Sequence, residues 1–215
     1  MTYLEMINNV LKRLRESTVT SVNQTPYSAL IGVLINDAKE EVENAWDWSA
    51  LRTTLTATTS NGVFSYTLTN TDNSFKALDV LNDTDNFVMN YAPADWMNKQ
   101  FLLATQQYGS PTHYSYNGTS SSGENVVDIF PIPDGVYTLR FNGVMRQPNL
   151  ENYDDVLQIP AHPVLMLAYA KAVEERGEDG GTSAAIAYQT AGRSINDAIS
   201  LDAARHPEEL IWQVV

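Results

Sequence analysis

Hydrophobic positions recur along this chain with two different periods, and the change between them divides it. Leu4, Ile7, Leu11 and Leu14 fall at i, i+3, i+7 and i+10, which predicts an amphipathic helix over about Tyr3–Arg15, opened by Thr2 and Glu5 as a T-x-x-E capping box. A polar linker from Glu16 to Gln24 follows. Thr25 can then cap, and Pro26 occupy the first turn of, a longer helix reaching about Trp46. Its expected buried stripe is Ile31, Leu34, Ala38, Val42 and Ala45, with Lys39, Glu40 and Glu43 on the solvated side.

From about Leu51 the period falls to two. Leu55–Thr58 and Val63–Leu68 flank Ser60-Asn61-Gly62, and Asn-Gly between β-rich runs predicts a hairpin. Further strands are expected over Phe75–Leu81, Phe87–Tyr91, His113–Tyr116 and Val126–Ile132, with a short helix around Trp96, Met97, Phe101 and Leu102. Pro133-Asp134-Gly135 supplies a tight turn, read as a second hairpin with Gly135 at positive φ. In the returning strand Tyr137, Leu139, Phe141 and Gly143 alternate with Thr138, Arg140 and Asn142 and make an apolar stripe.

The helical period returns after Pro160 and Pro163. Val164, Leu165, Leu167, Ala168, Lys171 and Ala172 belong to a helix that Gly177 ends, and Thr182 or Ser183 can cap a last helix to about Ala204. The stripe of that last helix is Ala184, Ala187, Ala191, Ile195, Ala198 and Ile199, small side chains that permit close packing. Helices at both ends and strands between them give an α+β fold: a helical bundle of residues 1–52 plus 158–215 carrying an inserted antiparallel β-sheet or sandwich, 53–157. No internal repeat interrupts this order.

One stretch carries a resemblance. Ile129-Phe130-Pro131-Ile132-Pro133-Asp134-Gly135-Val136-Tyr137-Thr138-Leu139, with Gly109, Pro111 and Tyr114 upstream and a proline-led, Ala-rich helix ending in Glu174, Glu175 and Gly177 downstream, resembles the head-to-tail adaptor (connector) proteins of tailed bacteriophages, of the tail tubular protein A type. Recognisable residues run from Gly109 to Gly177, and Phe130 stands where an aromatic hydroxyl is common. The resemblance implies a structural protein of the virion neck, with no catalysis. It implies a homo-oligomeric ring, a dodecamer, that docks under the portal protein and receives the tail tube or nozzle protein, with DNA only as passing cargo. It further implies that a C-terminal segment engages the portal or a neighbouring copy.

Composition limits the other functions. Lys and Arg number 13 against 26 Asp and Glu, a formal net charge of −13 that disfavours gripping phosphate and suits a conduit along which DNA slides. With no cysteine, disulfides, thiolate metal sites and a thiol nucleophile are excluded. Met1–Arg15 has no basic start followed by an apolar run, so neither a secretory signal nor a membrane span is expected, and the protein is expected to be soluble and made in the host cytoplasm.

Candidate chemistry is sparse, and no cofactor or metal is expected. His113, His162 and His206 are scattered without metal-ligand spacing, and Asn82–Asn86 lacks the oxygen donors and glycine of a calcium loop. No G-x-S-x-G elbow or phosphate-cradling glycine loop is present. Trp46 and Trp48 read as a core anchor with a partly exposed neighbour. Trp96, Tyr108, Tyr114 and Tyr116 support the competing function, a carbohydrate- or receptor-binding β-rich module of a virion or cell surface. The candidate partner-binding residues are Leu210, Ile211, Trp212, Val214 and Val215, bulky apolar groups with Trp212 as an interface anchor.

Overall fold

The computed structural model describes residues 1–71, 74–177 and 181–205. Five helices are found among them: α1 (Tyr3–Arg13), α2 (Pro26–Ala45), α3 (Ala94–Phe101), α4 (Ala161–Arg176) and α5 (Thr182–Ala203). A 3-10 turn, Ser49–Leu51, follows α2. The strands are β1 (Arg52–Thr58), β2 (Ser65–Thr67), β3 (Phe75–Asn82), β4 (Phe87–Val88), β5 (Asn90–Tyr91), β6 (His113–Thr119), β7 (Asn125–Phe130) and β8 (Thr138–Met145). Contacts divide the chain into a helical unit, Met1–Leu51 with Gln147–Val215, and a β unit, Arg52–Arg146. No helix among the described residues is long and apolar enough to cross a membrane.

In the helical unit both expected N-terminal caps form. Glu5 N donates to Thr2 Oγ1 while Thr2 N donates to Glu5 Oε2, and Thr25 exchanges the same pair of bonds with Ser28 in place of an acid. α1 stops at Arg13, since Leu14 is its C-cap and Arg15 turns left-handed at φ 59°. Gly32 lets α1 approach α2, because a Cβ there would stand 2.5 Å from the Tyr3 hydroxyl. α4 is buried around most of its circumference, from Pro163 to Ala172, and contacts α1, α2 and α5. Gly177 closes it at φ 60°, in the left-handed region where glycine ends helices cheaply.

α5 departs from expectation at its start. Its N-cap is Gly181, with no side-chain cap, and Thr182 and Ser183 already lie inside the helix. The buried stripe is Ala184, Ala191, Ser194, Ala198 and Asp202, while Ala187, Ile195 and Ile199 are half-buried. The small side chains matter for this packing. Ala191→Leu and Ala198→Leu are each expected to cost about 1–3 kcal/mol by overpacking. Urea unfolding checks this, and unchanged midpoints would mean that the face is not tightly packed.

The β unit holds two four-stranded sheets, ordered β1-β8-β3-β4 and β2-β7-β6-β5. All pairs are antiparallel except β5 with β6, so the insertion is not purely antiparallel. Leu68, Phe75, Val80, Met89, Tyr114, Val127, Ile129, Leu139 and Phe141 from both sheets form one core. The stripe predicted on β8 is therefore internal, and at its end a Cβ on Gly143 would collide with the Lys76 carbonyl and lie 2.6 Å from the Phe75 ring.

Neither predicted hairpin is one. β1 pairs with β8 and β2 with β7, so the Asn61-Gly62 turn carries the chain from the first sheet to the second, and Pro133-Asp134-Gly135 carries it back. Alternation on both sides of a turn looks the same whether the chain folds back or changes sheet. The two crossings lie against each other: Gly62 N donates to the Pro133 carbonyl at 2.8 Å, and Thr59 N to the Tyr137 carbonyl at 2.9 Å. Positive φ belongs to Gly62, at 76°, and Gly135 has none. The run 87–91 likewise divides, with β4 in one sheet, β5 in the other and Met89 buried between them.

Candidate functional site

Of the polar groups that sequence reading set on the surface of α2, Glu40 is exposed, whereas Lys39 and Glu43 are the helix's most buried charges. Lys39 and Glu43 side chains are 2% and 0% exposed, with Lys39 Nζ 3.0 Å from Glu43 Oε2. Lys39 Nζ also donates to the Gln147 carbonyl at 2.5 Å, and Gln147 N to Glu43 Oε1 at 3.4 Å. The pair thus clamps the main chain of residue 147 against α2. Its i, i+4 spacing was visible in the sequence, but spacing is equally compatible with an exposed pair.

A second polar knot ties the end of α5 to the end of α2. Asp202 accepts from Trp46 Nε1 (3.1 Å), Ser49 N (2.9 Å) and Ser49 Oγ (2.5 Å), and Arg205 Nη1 lies 3.4 Å away. Beside it Trp48 is fully buried and donates Nε1 to the Val42 carbonyl, so the two tryptophans divide into core anchor and half-buried neighbour. Burial alone would raise the Asp202 carboxyl, but the Ser49 hydroxyl and amide, Trp46 and Arg205 hold it below the ordinary aspartate value. The unfolded chain therefore takes up this proton first. The knot contributes in full above about pH 4 and is lost as pH falls through the folded value. Asp202→Asn should flatten the acid limb of stability against pH, which denaturant titrations between about pH 2 and 6 would read.

Arg13, Arg15 and Arg176 line a cleft of about 420 Å³ with Leu14, Tyr169, Val173 and Ser183, a local basic spot on an acidic chain. Arg176 is a structural clamp there. It donates to the Tyr27 hydroxyl, the Leu14 carbonyl and the Glu16 carboxylate and lies over the Tyr27 ring.

The residues weighed for chemistry are dispersed. His113 on β6 stacks near Trp96, ring centroids 5.0 Å apart, with Nδ1 2.9 Å from Thr112 Oγ1, and His162 lies in the first turn of α4. His206 lies outside the described residues. Asn82 is buried and its Oδ1 accepts from Thr84 N and Asp85 N, closing a local turn in 82–86. Asp128 is buried on β7 opposite Ser115, with Asn117 Nδ2 donating to its Oδ2. Among the described residues no cluster of three His, Asp or Glu could hold a metal.

The aromatic residues proposed for sugar binding do not share an exposed face. Tyr114 is in the core, and the Tyr116 hydroxyl accepts from Ala77 N at 3.0 Å. Trp96, on α3, is half-buried edge-on to Phe130, and of the four only Tyr108 is largely exposed. Apolar exposure also occurs elsewhere: Leu102 and Leu103 after α3, and Ile186 and Leu201 on α5. The candidate partner-binding residues Leu210, Ile211, Trp212, Val214 and Val215 lie outside the described residues.

Comparison with curated proteins finds no match. A family model does match, the SU10 adaptor protein, over residues 1–210, a span that takes in both units. With nearly the whole chain aligned, the protein belongs to the SU10 adaptor protein family.

Proposed function

We propose that this protein is a head-to-tail adaptor of the tail tubular protein A type, which forms a closed dodecameric ring between the portal and the tail tube or nozzle and lines the DNA conduit. The observation that carries this reading is the family match across residues 1–210. Membership makes the chain a phage adaptor, a structural virion component that works by contacts with other head and tail parts. The charge of −13 supports the conduit, since a wall that repels phosphate lets DNA pass without binding it. The exposed Ile186 and Leu201 on α5 and Leu102 and Leu103 after α3 supply apolar surface for partners.

Sizing with light scattering, alone and with purified portal, tests this reading. It expects a defined complex with portal of ring stoichiometry, and a chain that never joins portal contradicts it.

The tail carries the docking in this proposal, with Trp212 as anchor and Leu210, Ile211, Val214 and Val215 around it. Removing 210–215 should leave circular dichroism unchanged and abolish co-sedimentation with portal. Unimpaired joining would rule the tail out, and loss of fold would mean that it packs on its own chain.

A further inference from the structure

The β unit ends in open edges of unlike character. In the sheet order β1-β8-β3-β4, β1 and β4 are the outer strands, and no described residue pairs with their far sides. β1 is seven residues long, Arg-Thr-Thr-Leu-Thr-Ala-Thr, with no proline and a single charge at its first position. Its register with β8 is continuous, without a bulge. Natural sheets guard edges with charges, prolines or bulges, and β1 is guarded only at its start.

Beside β1 lies β2, the outer strand of the second sheet, and the sandwich gapes between them. A cleft of about 360 Å³ opens there, with Leu55, Ala57, Tyr66 and Leu68 in its wall. At the opposite edge the run 87–91 crosses between the sheets, burying Met89 but leaving Val88 and Tyr91 each 61% exposed. One edge is thus a long bare strand over an apolar cleft, and the other is a short strand flanked by exposed apolar side chains.

Strand direction makes the two edges fit. Every neighbour in the first sheet is antiparallel, so directions alternate and β4 runs opposite to β1. A second copy with its β4 beside β1 therefore continues the sheet with the same alternation. In the second sheet, where β5 is parallel to β6, the same apposition would be parallel, which assigns the hydrogen-bonded join to the first sheet. The patches differ, so the contact is head-to-tail, and repeating it builds a ring if the rotation closes.

We propose that neighbouring copies associate by strand addition, β4 of one copy pairing with the free edge of β1 of the next. The occupant of that edge is a second copy of this chain, and the inference rests on the ring reading above. Exposed Thr54 and Thr56 on β1 and exposed Val88 on β4 lie on solvent-facing positions that such a join would bring together.

The chain has no cysteine, so introduced pairs report cleanly. Thr54→Cys and Thr56→Cys, each combined with Val88→Cys, are oxidised at concentrations where the wild type assembles by sizing. A ladder of covalent multimers is expected from at least one pair. Each single variant should give dimers at most, and Thr56→Cys with Lys12→Cys, at an exposed position of α1, no ladder. Assembly with no ladder from either pair, or an equal ladder from the control, overturns strand addition while leaving the ring intact. A chain that stays monomeric at every concentration and with portal overturns the ring reading and this inference together. Thr56→Lys gives an independent readout: circular dichroism should be unchanged while assembly shifts toward monomer, and unaltered assembly would count against the proposal.

Discussion

Glu43→Ala is expected to destabilise the helical unit by about 3–5 kcal/mol, more than any surface change in the chain. The cause is the charge left behind. Lys39 is fully buried, and its ammonium would keep only the Gln147 carbonyl as a described partner once the carboxylate is gone. Gln147 N would lose the Glu43 Oε1 bond as well, so the clamp on residue 147 opens from both sides. Replacing the pair together, Lys39→Met with Glu43→Leu, should recover much of the loss, because two apolar residues of similar volume avoid the cost of desolvating charge. Urea unfolding of the two variants decides the matter. A single variant as stable as wild type would show that water reaches Lys39 and that the pair is in effect exposed.

Phe141→Ala is the matching experiment for the β unit. Phe141 is fully buried on β8, pairs in register with Leu55 on one side and Val80 on the other, and meets the Tyr114 ring edge-on at 6.3 Å. It therefore joins both sheets of the sandwich. Truncation leaves a cavity at the centre of that core, at an expected cost of about 3–5 kcal/mol. Hydrogen exchange should show protection falling in β3, β7 and β8. A loss confined to β8 would mean that the sheets do not share one core at this residue.

The helix starts at Thr2 and Thr25, the close of α4 at Gly177 and the apolar stripe of β8 were all legible, because each is written in residues within a few positions of one another. What was not legible depends on distant partners. The turns at Gly62 and Gly135 announce a change of direction, yet only pairing with β7 and β8 decides that the chain changes sheet there. Gly32 and Gly143 look like ordinary breaks in a helix and a strand until the Tyr3 hydroxyl and Phe75 ring are seen in the space a Cβ would take. Lys39 and Glu43 read as surface because charge usually is surface, and the return of the chain at Gln147 is what covers them. For the candidate site the division is similar. Adaptor membership was foreshadowed by the run from Ile129 to Leu139, whereas the bare edge of β1 exists only once the strands are ordered into sheets.

The ring is tested most directly by cryo-electron microscopy of the purified protein assembled on purified portal. The expected image is one closed, coaxial, dodecameric ring of this chain stacked on the portal around an open central channel. Copies bound singly to the portal, or an assembly without a central channel, would contradict it.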